Sequence, residues 1–439
     1  MKIGSFFPNR FQSTFYAMAA DDCSLHFDLD RLTEKQAADH VANLELTALL
    51  QVATIAISKP ADYVGLYAEF QQQPWAAILL RYNDFFAKCG IDPIPPEHFV
   101  FGPKMTFYQH VSSRLPDTEL LSLYMVSGSN SILHQNPDAL AISQNVNSKF
   151  HFAAHAPDFG ISTPETYVTV KSELGSKEVA DFLVRYADDA GAVILKIPGL
   201  AGARNVTPVV SVQAIRDYVA EYEDDLPILL QQKLDLAHYT EMTVDLFVSD
   251  DDIHISNIRE ILFADGLWVG NFVTDRHALD AEQQEQLIKV GEYARAHGHS
   301  SKEGTNCGID YFIGPEGDII VTEINARWTG GLFPSQILAR VNRDREDAVM
   351  CFDVVPVDAI AEFLDFVEAH LPGSKGADFS TLSFGFSPFV QNLDGVSYIY
   401  VWQLIIGDFE TFRQRKNAQF GERVLPTTNR IALPRVARE

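Results

Sequence analysis

Hydrophobic and polar positions along this chain follow two periods. Residues 34–57 carry apolar side chains at Ala38, Val41, Leu44, Leu46, Leu49 and Leu50, a spacing that predicts a helix with one buried face. Residues 176–186 and 281–297 repeat that amphipathic pattern. Between them lie short apolar runs: residues 119–126, Ala192-Val193-Ile194-Leu195-Lys196, and Pro227-Ile228-Leu229-Leu230 leading into a connector. Runs of this length read as buried strands. Thr240 to Val248 alternates cleanly as far as Asp245, and residues 253–263 return after the Asp251-Asp252 turn. Helices interleaved with strands predict an α/β layering. The run at 119–126 ends in Ser127-Gly128-Ser129-Asn130-Ser131. A polar loop at a strand end can touch a ligand, although a plain turn is the better reading of one glycine.

A second pattern is the hairpin around Gly314-Pro315-Glu316-Gly317, flanked by β-rich runs. Alternation along a strand places Glu323, Asn325 and Arg327 on one face, and Ile320, Ile324 and Ala326 on the other. Pairing Ile313 with Asp318 sets Asp310 opposite Val321, on the face of Glu323 and Asn325. Asp310, Glu323 and Asn325 then converge as hard oxygen donors, a set that suits Mg²⁺ completed by phosphate and water. A register slip of one residue turns Asp310 away. The plainer alternative is a hairpin whose polar face meets solvent.

Composition narrows the class. At about 150 residues per domain, the 439 residues make roughly three domains. Hydrophobic content of 46% and charged content of 21% belong to a globular chain with ample core. A formal net charge of -25 argues against nucleic-acid and anionic-membrane partners. Any polyanionic ligand must therefore be met by local positive groups and metal. Cys23, Cys89, Cys307 and Cys351 are scattered, with neither a disulfide framework nor a zinc spacing. Cys307 reads as a small buried side chain. Asn9, Arg10 and Gln12 interrupt any signal-peptide pattern. No stretch is expected to reach the length of a membrane span, and a cytoplasmic protein follows.

Glu323-Ile324-Asn325-Ala326-Arg327, followed by Thr329-Gly330-Gly331, resembles the metal-binding strand of the ATP-grasp superfamily. Other segments fall in that family's order. Asn147-Ser148-Lys149-Phe150, a short helix and Gly160-Ile161-Ser162-Thr163-Pro164 resemble its opening, which implies that Lys149 reaches the nucleotide phosphates. Lys196 and the following Ile197-Pro198-Gly199-Leu200-Ala201-Gly202-Ala203-Arg204 resemble its strand lysine and glycine-rich flap, so Lys196, Gly199 and Gly202 are implied at the phosphates. No Gly-Lys-Ser/Thr follows, so this is not a Walker loop. Gln231, Gln232, Lys233 and Leu234 match the hinge that holds adenine, and Glu241 matches the ribose position. The family often has an acid and a lysine where Gln231 and Gln232 stand, so side-chain contacts to adenine would differ while backbone contacts persist. Taken singly, Lys149 would be a solvated helix lysine; the order of the matches gives it meaning.

The resemblance implies an α/β (α+β) chain. An ATP-grasp domain would span residues 136–345, with a flap subdomain at about 162–235. A pre-ATP-grasp α/β domain at 1–135 precedes it, and a small C-terminal α/β region at 346–439 follows. The implied cofactors are ATP and Mg²⁺ (or Mn²⁺), with Asp310, Glu323 and Asn325 as metal ligands and Arg327 and Lys196 as catalytic groups. The implied reaction is ADP-forming ligation of a carboxylate to an amine. The layout is similar to stand-alone peptide or amide ligases of the pheganomycin-synthetase type. Partners would be small-molecule carboxylate and amine substrates, with a homodimer admitted. Rival readings are a small-molecule kinase and a non-catalytic nucleotide-binding module. Arg259 is a candidate substrate contact, and His297 and His299 read as polar loop residues. Arg413, Arg415, Lys416, Arg423 and Arg430 read as a solvated basic surface or, more sharply, a lid over an anionic substrate.

Overall fold

Short, fully apolar strands demand cover on both faces, and the N-terminal residues obtain it in a parallel sheet. In the computed structural model all residues are described except 135, 191, 199–205, 265–266, 343–345, 374–376, 394, 422–426 and 434–439. Strands β1 (Lys2–Gly4), β2 (Thr14–Ala17), β3 (Tyr63–Tyr67), β4 (Phe99–Gly102) and β5 (Leu120–Leu123) pair in the order β1-β5-β2-β3-β4, all parallel. Every residue of β2 and β5 is buried. The run predicted at 119–126 forms its ladder only at the centre and then turns into the serine-rich loop. Helix α1 (Asp22–His26) follows β2 closely.

The helix predicted at 34–57 forms as two, α2 (Glu34–Thr47) and α3 (Leu49–Ile57), parted at Ala48. Thr33 and Gln36 start α2 with a reciprocal capping box. By length and composition Glu34–Ile57 is apolar enough to cross a membrane, which corrects the expectation that no stretch approaches that limit. Every residue of α3 is buried in the core, the position of an interior helix in a globular protein.

A small antiparallel subdomain comes next: β6 (Thr166–Val170), β7 (Val193–Lys196), β8 (Val206–Val209) and β9 (Pro227–Gln232), ordered β6-β9-β7-β8. It has its own core, with Leu183 and Ile215 from helices Lys177–Ala190 and Val212–Tyr218 packed on Val193, Leu195 and Leu230.

The remaining strands build one long antiparallel sheet. They are β10 (Thr240–Val248), β11 (Ile253–Ala264), β12 (Leu267–Val273), β13 (Thr305–Ile313), β14 (Ile319–Asn325), β15 (Ala348–Pro356), β16 (Phe379–Phe386), β17 (Gln391–Leu393) and β18 (Val396–Gly407). Their order is β14-β13-β10-β11-β12-β15-β18-β16, with β17 beside β18. Helix Ala281–Ala296 covers one face at the β14 end, packing Leu287 and Val290 on Val244, Leu246, Ile309 and Ile324. The C-terminal strands extend this sheet, and Leu382, Phe384 and Trp402 share a core with Leu49, Val52 and Phe85. Lys416 is only 1% exposed and pairs with Asp353 at 2.9 Å. It is a buried structural cation, not part of a basic lid. Arg413 pairs with Glu410 on its own helix, and Arg423 lies outside the described residues.

Candidate active site

The β13–β14 hairpin sets the site through its register. Ile313 pairs with Ile319, and Tyr311 with Val321; a bulge follows, and Asp310 pairs with Glu323. This corrects the expected pairing of Ile313 with Asp318 and of Asp310 with Val321. The apolar positions explain the bulge. Ile319, Val321, Ile324 and Ala326 all enter the core under helix Ala281–Ala296, and their spacing of two, three and two residues cannot be met by strict alternation. One extra residue at Thr322 keeps Val321 and Ile324 inward while Glu323 and Asn325 stay on the opposite face with Asp310.

That face carries polar rows across the sheet. Glu323, Asp310, Thr243 and Arg259 are successive cross-strand partners on β14, β13, β10 and β11. Asn325, Gly308, Asp245 and Asn257 form the next row. Gly308 has a steric reason to be glycine: a Cβ there would stand 2.2 Å from Cγ2 of Thr329. The Thr329 hydroxyl donates to Asp245 Oδ1 at 2.8 Å, which seats the turn before Gly330 and Gly331.

Arg327 leaves the end of β14 under tight control. Its carbonyl accepts from Asn306 Nδ2 at 2.7 Å, and Trp328 N–H donates to the Tyr124 carbonyl at 3.0 Å. Its guanidinium donates through Nη1 to Asn325 Oδ1 and through Nη2 to Asp22 Oδ1, the latter at 3.1 Å. The Tyr124 ring lies 5.6 Å from the guanidinium carbon. Desolvation pulls the Arg327 pKa down, but Tyr124, Asp22 and Glu323 outweigh it and raise it. The group is a fixed cation.

Two lysines reach the same strand from elements far apart in sequence. Lys149 opens helix Lys149–His155, which Ser148 caps, and its Nζ lies 3.0 Å from Glu323 Oε2. Lys196 ends β7 and is only 6% exposed; its Nζ donates to the Thr322 carbonyl at 3.3 Å. Burial lowers the Lys196 pKa to about 8, against the pull of Glu323. Burial and the Glu323 charge push the Asp310 carboxyl up. Burial acts on Glu323 too, but Lys149, Lys196 and Arg327 hold it below the usual range. Glu241 is raised to about 7 by burial and the nearby Asp310.

Two acids in contact, one favouring its proton, make a site that a cation would complete. Among the described residues no three His, Cys, Asp or Glu side chains form a metal cage. Two carboxylates fit Mg²⁺, which takes one or two and fills its sphere with phosphate and water. Asn325 turns its amide nitrogen toward Asp310 Oδ2 at 3.1 Å and its oxygen toward Arg327, so in this arrangement it ties the acid pair to the arginine.

This face opens on a cleft with about 440 Å³ of empty space, part of it open to solvent. Asp22, His26, Lys149, Glu323, Asn325 and Arg327 line it. The hinge candidates stand at the end of β9: Gln231 is buried with Nε2 donating to Thr166 Oγ1 at 3.3 Å, and Gln232, Lys233 and Leu234 are half-buried. Gly199 and Gly202 lie outside the described residues.

No protein-family model matches the sequence, and no curated protein matches it. Solved structures do. An N5-carboxyaminoimidazole synthetase from Staphylococcus aureus aligns with TM-score 0.54 and 12% identity, over 96% of this chain and 100% of that one. A carboxyaminoimidazole ribonucleotide synthase from Aspergillus clavatus, complexed with ATP, gives TM-score 0.52 and 13% identity over 93% and 96%. A phosphoribosylamine–glycine ligase from Thermotoga maritima gives 0.53 and 12% over 94% and 97%. This chain has the ATP-grasp fold. At these identities the likeness is one of fold, and it spans nearly the whole chain.

Within the ATP-grasp fold, the residues around the N-terminal parallel sheet contribute to the cleft what the sequence did not reveal. Asp22 and His26 belong to α1, which follows the carboxyl end of β2, where open parallel sheets present ligand sites. Burial lowers the His26 pKa to about 4, so the ring is neutral. The serine loop lies next to it: Ser127 and Ser129 donate to Asp21 Oδ2. Arg259, expected as a substrate contact, is instead fully buried, paired with Asp245 at 2.7 Å and donating to Ser335 Oγ at 3.0 Å. His299 donates through Nε2 to the Asn306 carbonyl at 2.8 Å, and His297 packs on Tyr293.

Proposed function

We propose that this protein is an ATP-dependent ligase that activates a carboxylate as an acyl phosphate and joins it to an amine, releasing ADP and phosphate. Lys149, Glu323 and Arg327 line one cleft, with Asp310 paired to Glu323 and Lys196 bonded to the adjoining Thr322 carbonyl, and this supports the reading. The phosphoribosylamine–glycine ligase of the same fold joins, by its name, an amine to an amino acid. The finer reading, peptide or amide bonds made in the manner of pheganomycin-type ligases, rests on layout: Gly308-Ile309-Asp310 before the hairpin and Thr329-Gly330-Gly331 after it.

Gln231, Gln232, Lys233 and Leu234 would hold adenine, and Glu241 would meet the ribose hydroxyls. Lys149 and Lys196 would hold the phosphate oxygens, and Gly199 and Gly202, outside the described residues, are the remaining phosphate candidates. Asp310 and Glu323, with Asn325 beside them, would hold Mg²⁺ or Mn²⁺, which would supply charge neutralisation at the nucleotide phosphates. Arg327, fixed by Asn325 and by its own backbone, orients the substrate carboxylate for in-line attack on the γ-phosphorus. A substrate C–O⁻ takes the phosphoryl group as the bond to ADP breaks. The amine then attacks the acyl carbon, loses its proton, and phosphate leaves. Fixed donors aimed at the developing charge do most of this work.

Release of ADP, screened over amino acids, dipeptides and small acids with and without amines, tests the reading. Turnover that requires both a carboxylate and an amine is expected. Turnover with a hydroxyl acceptor and a stable phosphorylated product would assign a kinase instead.

A further inference from the structure

The N-terminal domain places one acid against the catalytic arginine, and that acid is half satisfied. Asp22 is 6% exposed, and its Oδ1 accepts from Arg327 Nη2 at 3.1 Å. Its Oδ2 is buried with no hydrogen-bond partner among the described residues, and so is Nε of Arg327. Both residues line the cleft with Lys149 and Glu323. A buried carboxylate oxygen left without a donor is destabilising, and such groups in native structures ask for an explanation.

Charge balance gives one. Lys149 is matched to Glu323, and Arg327 to Asp22. When Arg327 turns to a substrate carboxylate, one cation serves two anions, and Asp22 is left uncompensated in a poorly solvated wall. A second cation restores neutrality. His26 lines the same cleft and adds no positive charge of its own. The missing group must donate hydrogen bonds, carry positive charge and sit within reach of the acyl carbon that Arg327 holds. An ammonium group meets all three requirements.

We infer that Asp22 is a specificity residue that binds a protonated amine of the substrate beside the carboxylate held by Arg327. This rests on the ligase reading above. The amine has two sources of the same chemistry. It is either the α-ammonium of the acid being activated, one carbon from its carboxylate, or the incoming amine before it loses its proton.

The test uses the full chain with ATP and compares wild type with the isosteric Asp22→Asn. In one arm hydroxylamine, uncharged at neutral pH, is the only nucleophile, and each amino acid is set against its 2-hydroxy and des-amino analogues. In the other arm an amine-free acid is fixed, and amino-acid nucleophiles are set against hydroxylamine. Asp22→Asn is expected to lower kcat/KM for the amine-bearing compound at least tenfold more than for its amine-free analogue, since any loss through Arg327 falls on both alike. Loss in the first arm assigns the α-ammonium; loss confined to the second assigns the incoming amine. Equal effects on both kinds of compound, or no effect on either, overturn the inference. Should Asp22→Asn fail to fold, wild type decides: a preference of at least a hundredfold for the charged amine supports it, and parity overturns it. If no acid supports ADP release in wild type, the ligase reading fails first and this inference falls with it.

Discussion

Asp310 and Glu323 are direct cross-strand partners, brought opposite each other beside a bulge at Thr322. Their contact is unfavourable without a cation: burial and the Glu323 charge push the Asp310 carboxyl up. Lys149, at 3.0 Å from Glu323, offsets only part of this. The face thus carries an unfavourable charge pairing, a common property of functional sites.

Removing that repulsion separates function from folding. Asp310→Asn is expected to be as stable as wild type or more so, by about 0.5–2 kcal/mol. Its ATP turnover should fall on the order of 100-fold, the scale of a lost electrostatic group. Denaturant unfolding beside ADP release measures both. A clearly less stable Asp310→Asn with normal turnover contradicts the assignment of the acid pair.

Lys196 ends β7 and crosses to the Thr322 carbonyl at 3.3 Å. Lys196→Ala should weaken nucleotide binding by roughly 10- to 100-fold, as expected for one charge-assisted contact of about 1.5–3 kcal/mol. Lys177, with its side chain 83% exposed, is the proper control. Lys171 is not, because its Nζ donates to the Ala220 and Tyr222 carbonyls. Calorimetric titration with ATP distinguishes the variants, and equal affinities for Lys196→Ala and Lys177→Ala reject the role.

Gly308 sits opposite Asn325, and its missing Cβ is the room that Thr329 Cγ2 occupies. Gly308→Ala should destabilise the fold by about 1–3 kcal/mol through overpacking. Adding Thr329→Ser removes the clashing methyl and keeps a hydroxyl for Asp245. Much of the loss should then return in thermal or denaturant unfolding. If the double variant is no better than the single one, the contact is not what requires glycine there.

The acidic hairpin was legible because alternation and turn chemistry are local. Strict alternation could not locate the bulge, yet the uneven spacing of Ile319, Val321, Ile324 and Ala326 carried its signature. The division of the first long helix at Ala48 has neither glycine nor proline to announce it. Asp22 was invisible for another reason: its partner Arg327 lies 305 residues away, and one aspartate after a strand resembles any cap. Lys416 misled by type, since lysines are almost always exposed. Only the distant Asp353 makes its burial tolerable. Arg259 was placed on the correct strand, but its depth followed from Asp245 and Ser335, which sequence could not bring to it.

Attack by a carboxylate on the γ-phosphorus is tested most directly by trapping its product. The protein is given ATP, Mg²⁺, the acid that best supports turnover, and hydroxylamine with the natural amine withheld. ADP and a hydroxamate are expected in equal amounts, with phosphate released, and Arg327→Ala should depress the hydroxamate because the carboxylate is no longer held in line. ADP with neither hydroxamate nor free phosphate would contradict carboxylate activation in favour of a kinase, and AMP with pyrophosphate would contradict attack at the γ-phosphorus altogether.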